Sequence, residues 1–114
     1  MDGFEILVGR TAAENDRLSI RVARPNDVWL HAAGYAGSHV LIRATGGKTG
    51  DVPPAIVEEA ARLAVWHSKG RAAGGKVAVH VARARDVSKR SGSPPGQVVV
   101  RRYDTVRVYP TAPQ

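Results

Sequence analysis

Two apolar runs on either side of a five-residue loop constrain the fold of this chain more than any other feature. Residues 28–32 and 38–43 flank the loop 33–37, whose length and two glycines suit a β-hairpin. In an antiparallel pair, the numbers of directly opposed residues have a constant sum. If that sum is 70, so that residue 28 faces residue 42, four aliphatic side chains fall on one face of the pair. These side chains are Val28, Leu30, Val40 and Ile42. We therefore predict an antiparallel hairpin with one buried face.

The same register gives the hairpin a second face that is polar and aromatic. It places Asp27 opposite Arg43, which is an opposite-charge pair, and it brings the two histidines of the hairpin together. We interpret this second face as exposed and suited to binding. Its candidate binding residues are Trp29, His31, His39 and Arg43.

The two histidines leave three interpretations open. Cross-strand imidazoles can share a metal ion, but a third ligand would have to come from His67, His80 or a carboxylate, and no His-Glu-x-x-His spacing occurs. Alternatively, His31 and His39 form structural hydrogen bonds, or they contact a phosphate or base of a nucleic acid. We predict no stoichiometric zinc and no other cofactor.

The rest of the chain combines strand patterns with one long helix pattern. Asp51-Val52-Pro53-Pro54 predicts a helix start and Gly70 a helix stop, so the main helix spans about residues 54–69. Apolar or alternating runs predict further strands at 4–8, 18–23, 76–83, 98–101 and 106–109. Strands on both sides of one helix predict an α+β domain, in which this helix packs on a mostly antiparallel sheet. We expect one domain over residues 1–114, with its core at about 5–110.

The sequence lacks the features of several function classes. Cysteine is absent from all 114 residues, which removes disulfide scaffolds, thiolate metal sites and cysteine nucleophiles. The glycine-rich segment 45–50 does not match Gly-x4-Gly-Lys-Ser/Thr, so we expect a flexible stretch rather than a nucleotide-hydrolysing loop. No signal-peptide pattern and no apolar run of about 20 residues occurs. We expect a cytoplasmic protein without a membrane partner.

The charge of the chain is distributed unevenly. Residues 1–59 contain six basic and eight acidic side chains, whereas residues 60–114 contain eleven basic and two acidic ones. A half-domain this cationic repels itself, and it commonly has a polyanionic partner. On charge alone, the candidate partners are RNA, DNA, ribosomes and anionic membranes, and of these we expect no membrane.

Basic residues of the second half form two candidate surfaces. The first has the spacing of one helix face and consists of Arg62, Trp66 and Lys69, with Arg71 just after the helix. On such a face the indole can stack on a base while the cations on either side contact phosphate. A denser cluster precedes the turn 91–96 and suits a phosphate clamp. It consists of Arg83, Arg85, Lys89 and Arg90.

The predicted hairpin also carries the motif of a known family. Residues 27–32 read Asp-Val-Trp-Leu-His-Ala, and residues 37–40 read Gly-Ser-His-Val. These segments resemble the Asp-Ile-Trp-Leu-His…Gly-Ser-His signature of the NFACT-R domain, the C-terminal RNA-binding module of the NFACT ribosome quality control proteins. Weaker similarity extends the resemblance over about residues 5–110. It is carried by Val8-Gly9-Arg10 with Asn15-Asp16, Glu59-Ala60-Ala61 with Ser68-Lys69, and Pro95-Gly96-Gln97-Val98.

The resemblance implies a stand-alone NFACT-R protein that binds RNA and has no chemistry of its own. The implied partners are tRNA or rRNA, with the large ribosomal subunit as a further candidate, in ribosome-associated quality control or RNA modification. The alternatives are a protein-interaction module that docks on a ribosomal or RNA-modifying partner, and a small histidine-centred metal-dependent enzyme. The predicted RNA-binding residues are Trp29, His31, His39, Arg43, Arg62, Lys69, Arg71, Arg83, Arg85, Lys89 and Arg90.

Overall fold

The computed structural model describes residues 3–45, 51–110 and 112, and it has the predicted α+β fold. Its strands are β1 (Phe4–Val8), β2 (Val28–Ala32), β3 (Val40–Ala44), β4 (Val77–Arg83), β5 (Val87–Ser88), β6 (Val99–Val100) and β7 (Asp104–Val108). Five strands form the main sheet in the order β1-β3-β2-β4-β7, and every neighbouring pair is antiparallel. The glycine-rich segment predicted to be flexible lies outside the described residues, apart from Thr45.

The predicted register of the hairpin is confirmed. Val28 pairs with Ile42, and Leu30 pairs with Val40. The strand β3 begins two residues later than predicted, because Gly37 and Ser38 pair with the chain that follows the main helix instead of with β2. The Ser38 N–H donates to the carbonyl of His67 at 3.1 Å, and Gly37 forms a β-bridge with Ser68.

The main helix, α2 (Pro54–Trp66), packs on the aliphatic face of the sheet. It ends three residues earlier than predicted, because Ser68 starts a separate 3₁₀ turn at Lys69–Ala72. The Ser68 hydroxyl donates to the carbonyl of Val65 and accepts from the N–H of Gly70. The large aliphatic residues of this first core include Val28, Leu30, Val40, Ile42, Ile56, Val65 and Val79.

The strand predicted at 18–23 is wrong, because this segment is helical. Helix α1 (Ala12–Asp16) continues directly as a π-helix over Arg17–Val22. Thr11 caps α1, since its hydroxyl accepts from the N–H of Glu14 at 3.0 Å, and the Glu14 carboxylate accepts from the N–H of Arg10. Leu18 and Val22 pack into the core on this side of the sheet, whereas Ile20 is exposed, so the alternation does not mark a strand.

A second core lies on the face of the main sheet opposite α2. It contains Leu18, Trp29, Leu41, Ala82 and Val87. The predicted strand 98–101 shortens to β6, which pairs with β5 in a separate two-stranded sheet and not with the main sheet. The domain thus has three layers: α2, the main sheet, and a cover made of α1, the π-helix and the small sheet. Within residues 3–45 and 51–110, no helix is long and apolar enough to cross a membrane.

Candidate nucleic-acid interface

The second face of the hairpin is largely covered, which corrects the expectation that it is an exposed binding surface. Trp29 and His39 are each only 2% exposed. Their rings meet edge to face with centroids 5.2 Å apart, beneath the cover formed by residues 12–22. Neither side chain can touch an RNA molecule in this conformation. Of the two hairpin histidines, only His31 retains partial exposure.

Ser19, on the π-helix, holds the two buried rings together. The Trp29 indole N–H donates to the Ser19 hydroxyl oxygen at 2.9 Å, and this oxygen lies 2.7 Å from Nδ1 of His39. The indole can only donate, so the hydroxyl oxygen accepts from it. We assign the hydroxyl hydrogen to Nδ1 of His39, in the tautomer that carries the ring proton on Nε2. Burial, followed by the neighbouring His31, lowers the pKa of His39 to about 4. The interpretation that fits His39 is therefore a neutral, structural imidazole.

Arg43 is also an internal residue. Its guanidinium donates to the Asp27 carboxylate at 3.0 and 3.2 Å and to the carbonyl of Val22 at the end of the π-helix. The predicted Asp27–Arg43 pair is thus present, but both side chains are mostly buried. The pair fixes the cover on the sheet and leaves little of Arg43 for a ligand.

Asn15 of α1 positions the hairpin loop beside the cover. Its side-chain amide donates to the carbonyl of Gly37 at 3.2 Å, and its carbonyl oxygen accepts from the N–H of His39 at 3.0 Å. A Cβ atom on Gly9 would lie 2.2 Å from the same Asn15 oxygen, and one on Gly37 would lie 2.4 Å from Cβ of Ser68. These glycines are needed because both backbones approach their neighbours closely.

A cleft of about 600 Å³ opens where these segments converge. The start of α1, the hairpin loop and the loop 94–97 form its walls, and His31 and His67 contribute side chains. Asp16 holds the loop 94–97 in place, because its carboxylate accepts from the N–H of Gly96 at 2.8 Å and from the Lys89 ammonium. Desolvation opposes the ionisation of Asp16, but these two donors together lower its pKa.

Cations gather at the edge of this cleft, where Arg10 lines it, and along an adjoining pocket that shares His67 with it and is lined by Trp66, Lys69 and Arg71. His67 lies between Arg10 and Arg71, and burial together with these two positive charges lowers its pKa. The Arg71 guanidinium lies 5.1 Å from the centre of the half-buried Trp66 ring, and Lys69 is exposed on the adjoining turn. We call Arg10, Trp66, Lys69 and Arg71 the cleft rim. Trp66, Lys69 and Arg71 were among the residues that the sequence placed on a candidate RNA-binding surface, but Arg10 was not. Its position in the Val-Gly-Arg motif was the feature that could have indicated it.

The predicted face Arg62–Trp66–Lys69 does not form. Arg62 donates to Glu58 at 2.7 Å and to Glu59 at 3.0 Å, so two carboxylates compensate its charge. Lys69 lies beyond the end of α2 and not on the same helix face. The cation beside Trp66 is Arg71 instead.

The predicted clamp of four cations is divided between two places. Arg83 donates to the carbonyl of Asn26 and to Asp51, and Arg85 donates to the Asn26 side chain, so both lie near the start of β2. The cleft lies at the other end of that strand. Lys89 is occupied by Asp16 and by the carbonyls of the loop 94–97.

Arg90 is exposed on the loop that leads to the cleft wall. Among the described residues, no hydrogen-bond or ion-pair partner of the Arg90 side chain is found. Within this cluster, Arg90 is therefore the cation near the cleft that remains available to a ligand. The described part of the chain also contains no group of three or more histidine, aspartate or glutamate residues that could hold a metal ion.

Sequence comparison identifies the family. The profile described as "NFACT protein RNA binding domain" matches residues 1–102, which is most of the chain. The chain belongs to the NFACT RNA-binding domain family. The segments that carry the NFACT-R signature are those that build the cleft, since Asn15, Gly37, Ser38 and His39 all line it.

Individual relatives agree with this assignment. The Rqc2 homolog RqcH of Bacillus subtilis is 36% identical over 96% of this chain, and the Ribosome quality control complex subunit NEMF homolog of Drosophila melanogaster is 30% identical over 59% of it. The chain spans only 18% and 7% of these two proteins. A solved structure of the C-terminal part of the fibronectin/fibrinogen-binding protein from Streptococcus suis matches with a TM-score of 0.85. That match has 35% identity and covers 95% of this chain and 41% of that one. The NFACT-R fold is therefore shared over nearly the full chain.

Proposed function

We propose that this NFACT-R domain binds tRNA or rRNA through the cleft rim, in the context of ribosome quality control in the cytoplasm, and that it catalyses no reaction itself. The observation that carries this proposal is the position of Arg10, Lys69 and Arg71. These cations lie beside a cleft whose walls contain the signature segments of an RNA-binding family. Family membership supports RNA as the partner, and the geometry supports the cleft rim as the surface that it contacts.

The chemistry of the rim suits the backbone of a folded RNA. Phosphate contacts require cations that are not already neutralised, and no ion pair involves Arg10, Lys69 or Arg71 among the residues that the structure describes. Arg71 beside the Trp66 ring resembles an arrangement in which a guanidinium meets phosphate while an indole offers apolar surface. Arg90 could extend the same surface along the loop 89–97.

The test compares two charge reversals of equal size. Lys69→Glu with Arg71→Glu changes the rim, whereas Arg24→Glu with Arg85→Glu changes two exposed cations near the start of β2, at the far end of that strand from the cleft. Affinity for unfractionated tRNA and for rRNA fragments is measured by fluorescence anisotropy over a series of salt concentrations. Thermal melting verifies that each variant is folded.

We expect the rim variant to bind RNA at least about tenfold more weakly than the unmodified protein. The slope of the logarithm of the association constant against the logarithm of the salt concentration should become shallower by about 2, which is roughly 1 for each lost phosphate contact. The Arg24/Arg85 variant should stay close to the unmodified protein. A loss confined to the Arg24/Arg85 variant would favour RNA at the start of β2, where the sequence predicted a clamp, and equal losses in both variants would contradict a specific role for the rim. Absence of salt-dependent binding to either RNA would favour the protein-docking alternative. Crosslinking in cells followed by sequencing then identifies the bound RNA.

A further inference from the structure

A row of rings crosses the second face of the main sheet, beside the second core. His31 on β2 is the direct partner of His80 on β4, and His80 is in turn the partner of Thr105 on β7. The ring of Tyr103, just before β7, stacks on the His80 ring with centroids 4.0 Å apart and ring planes 28° apart. Because His31 also lines the cleft, the row begins at the cleft and ends at the edge of the sheet.

Tyr103 has one ring face covered and remains half exposed. His80 covers the first ring face, yet 51% of Tyr103 is accessible to solvent. A base that stacks on Tyr103 would use the ring face opposite His80. Single exposed aromatic residues are common and need no explanation. Tyr103 differs because the stack on His80 fixes the orientation of its ring, so less conformational entropy is lost when a ligand stacks on it.

The charges around Tyr103 favour an anionic ligand on this surface. Arg102 precedes it in the chain, and Arg107 lies on the same face of β7 as Thr105. Both arginines are exposed, and neither forms an ion pair among the described residues. Asp104 is the partner of Val81, so it lies on the other face of β7, although it lines the same cavity as Tyr103 and Arg102. The two arginines outweigh this one carboxylate and leave the charge beside Tyr103 positive.

We propose that Tyr103, supported by His80, stacks on an unpaired base of the RNA whose backbone lies at the cleft rim. This inference rests on the proposed function. His31, which lines the cleft, lies on β2, and from β2 to β7 there are two strand spacings, or about 10 Å. A nucleotide that lies over the cleft beside His31 can therefore reach the ring. Every base has a π-face, so the site selects for an unpaired nucleotide and not for one sequence.

The test uses two RNAs and three variants. The RNAs are a hairpin with an unpaired loop and a fully paired duplex of the same length and charge. Tyr103→Ala removes the ring, Tyr103→Phe keeps it, and Tyr109→Ala removes another exposed tyrosine, which is 59% exposed. We expect Tyr103→Ala to weaken binding to the looped RNA by about fivefold or more and to leave duplex binding unchanged. Tyr103→Phe and Tyr109→Ala should bind both RNAs like the unmodified protein.

A second measurement does not depend on the folding of any variant. The unmodified protein is irradiated with the looped RNA carrying 4-thiouridine in its loop, and the crosslinked peptide is identified by mass spectrometry. A crosslink within residues 102–105 supports the stacking site. Crosslinks confined to other segments, or normal loop binding by a folded Tyr103→Ala protein, would overturn it. If the stacking site is overturned but Lys69→Glu with Arg71→Glu still weakens RNA binding, the proposed function stands without the stacking site. If neither Tyr103→Ala nor the Lys69/Arg71 variant weakens RNA binding, the proposed function and the stacking site both fail.

Discussion

Ser19 satisfies two buried polar groups at once, because its hydroxyl contacts both the Trp29 indole and the His39 ring. Ser19→Ala would leave an indole N–H and an imidazole nitrogen without partners in the second core. We expect the free energy of unfolding to fall by about 1–3 kcal/mol, measured by urea denaturation. Ser88→Ala, at an exposed serine, is the matched control and should change it by less than about 0.5 kcal/mol. Equal effects of the two substitutions would show that the Ser19 contacts do not stabilise the fold.

The pKa of His39 predicts how stability depends on pH. A histidine in the unfolded chain titrates near 6.5, whereas burial and then His31 lower the pKa of His39 to about 4 in the folded protein. Between these pH values the unfolded chain binds a proton that the folded protein excludes. The free energy of unfolding should therefore decrease as the pH falls from about 6.5 to about 4, by on the order of 3 kcal/mol. Urea denaturation at a series of pH values measures this loss.

His39→Asn is the variant that checks this assignment. An asparagine carbonyl can still accept a hydrogen bond from Ser19 but does not titrate, so the variant should lose less stability across that pH window even if it is less stable at pH 7. The residual pH dependence should come partly from His31, whose pKa burial also lowers. A variant with the same pH dependence as the unmodified protein would contradict the role assigned to His39.

The sequence predicted which side chains share a face, but it did not predict which of them are buried. Period-2 geometry and the aliphatic positions are local properties, so the register of Val28 with Ile42 could be read directly. The burial of Trp29 and His39 depends on a cover formed by residues 12–22, whose second half lies in the segment 18–23 that we predicted to be a strand. An error in one element therefore turned an internal face into an expected binding surface.

Among the secondary-structure elements, α1 had a sequence signal that was overlooked. Thr11-Ala12-Ala13-Glu14 is a capping box, in which a threonine is followed by a glutamate three positions later. The structure uses both residues at the start of α1. The early end of α2 had a weaker signal, because Ser68 is a helix-capping residue type that starts the next turn, whereas its pairing with Gly37, more than thirty positions away, could not be read from the sequence.

The cap of α1 should control the stability of the whole cover. Thr11→Ala removes the acceptor for the Glu14 N–H and should lower the free energy of unfolding by about 0.5–2 kcal/mol. Because the π-helix continues from α1, we expect faster hydrogen exchange at the amides of residues 15–23 and little change in α2. Thr11→Ser keeps the cap and is the control. Faster exchange spread evenly over the domain would argue against a separate cover element.

On the scale of the whole molecule, the charge asymmetry of the sequence is partly cancelled by folding. Acidic residues of the first half pair with cations of the second, as in Asp51 with Arg83 and Asp16 with Lys89. The cations densest in sequence are therefore among those most engaged by internal partners. The surface that remains for RNA combines Arg10 from the first half with Lys69 and Arg71 from the second, which no count along the chain could reveal.

The central claim is that RNA binds at the cleft rim, and an NMR titration tests it most directly. Backbone amide signals of the domain are followed while tRNA or an rRNA fragment is added. We predict that the largest chemical-shift changes occur at residues 9–12, 36–38 and 67–72, and that the amides of residues 24–27, at the start of β2, change little. The largest changes at residues 24–27 and 83–86, with the cleft rim unaffected, would contradict the account.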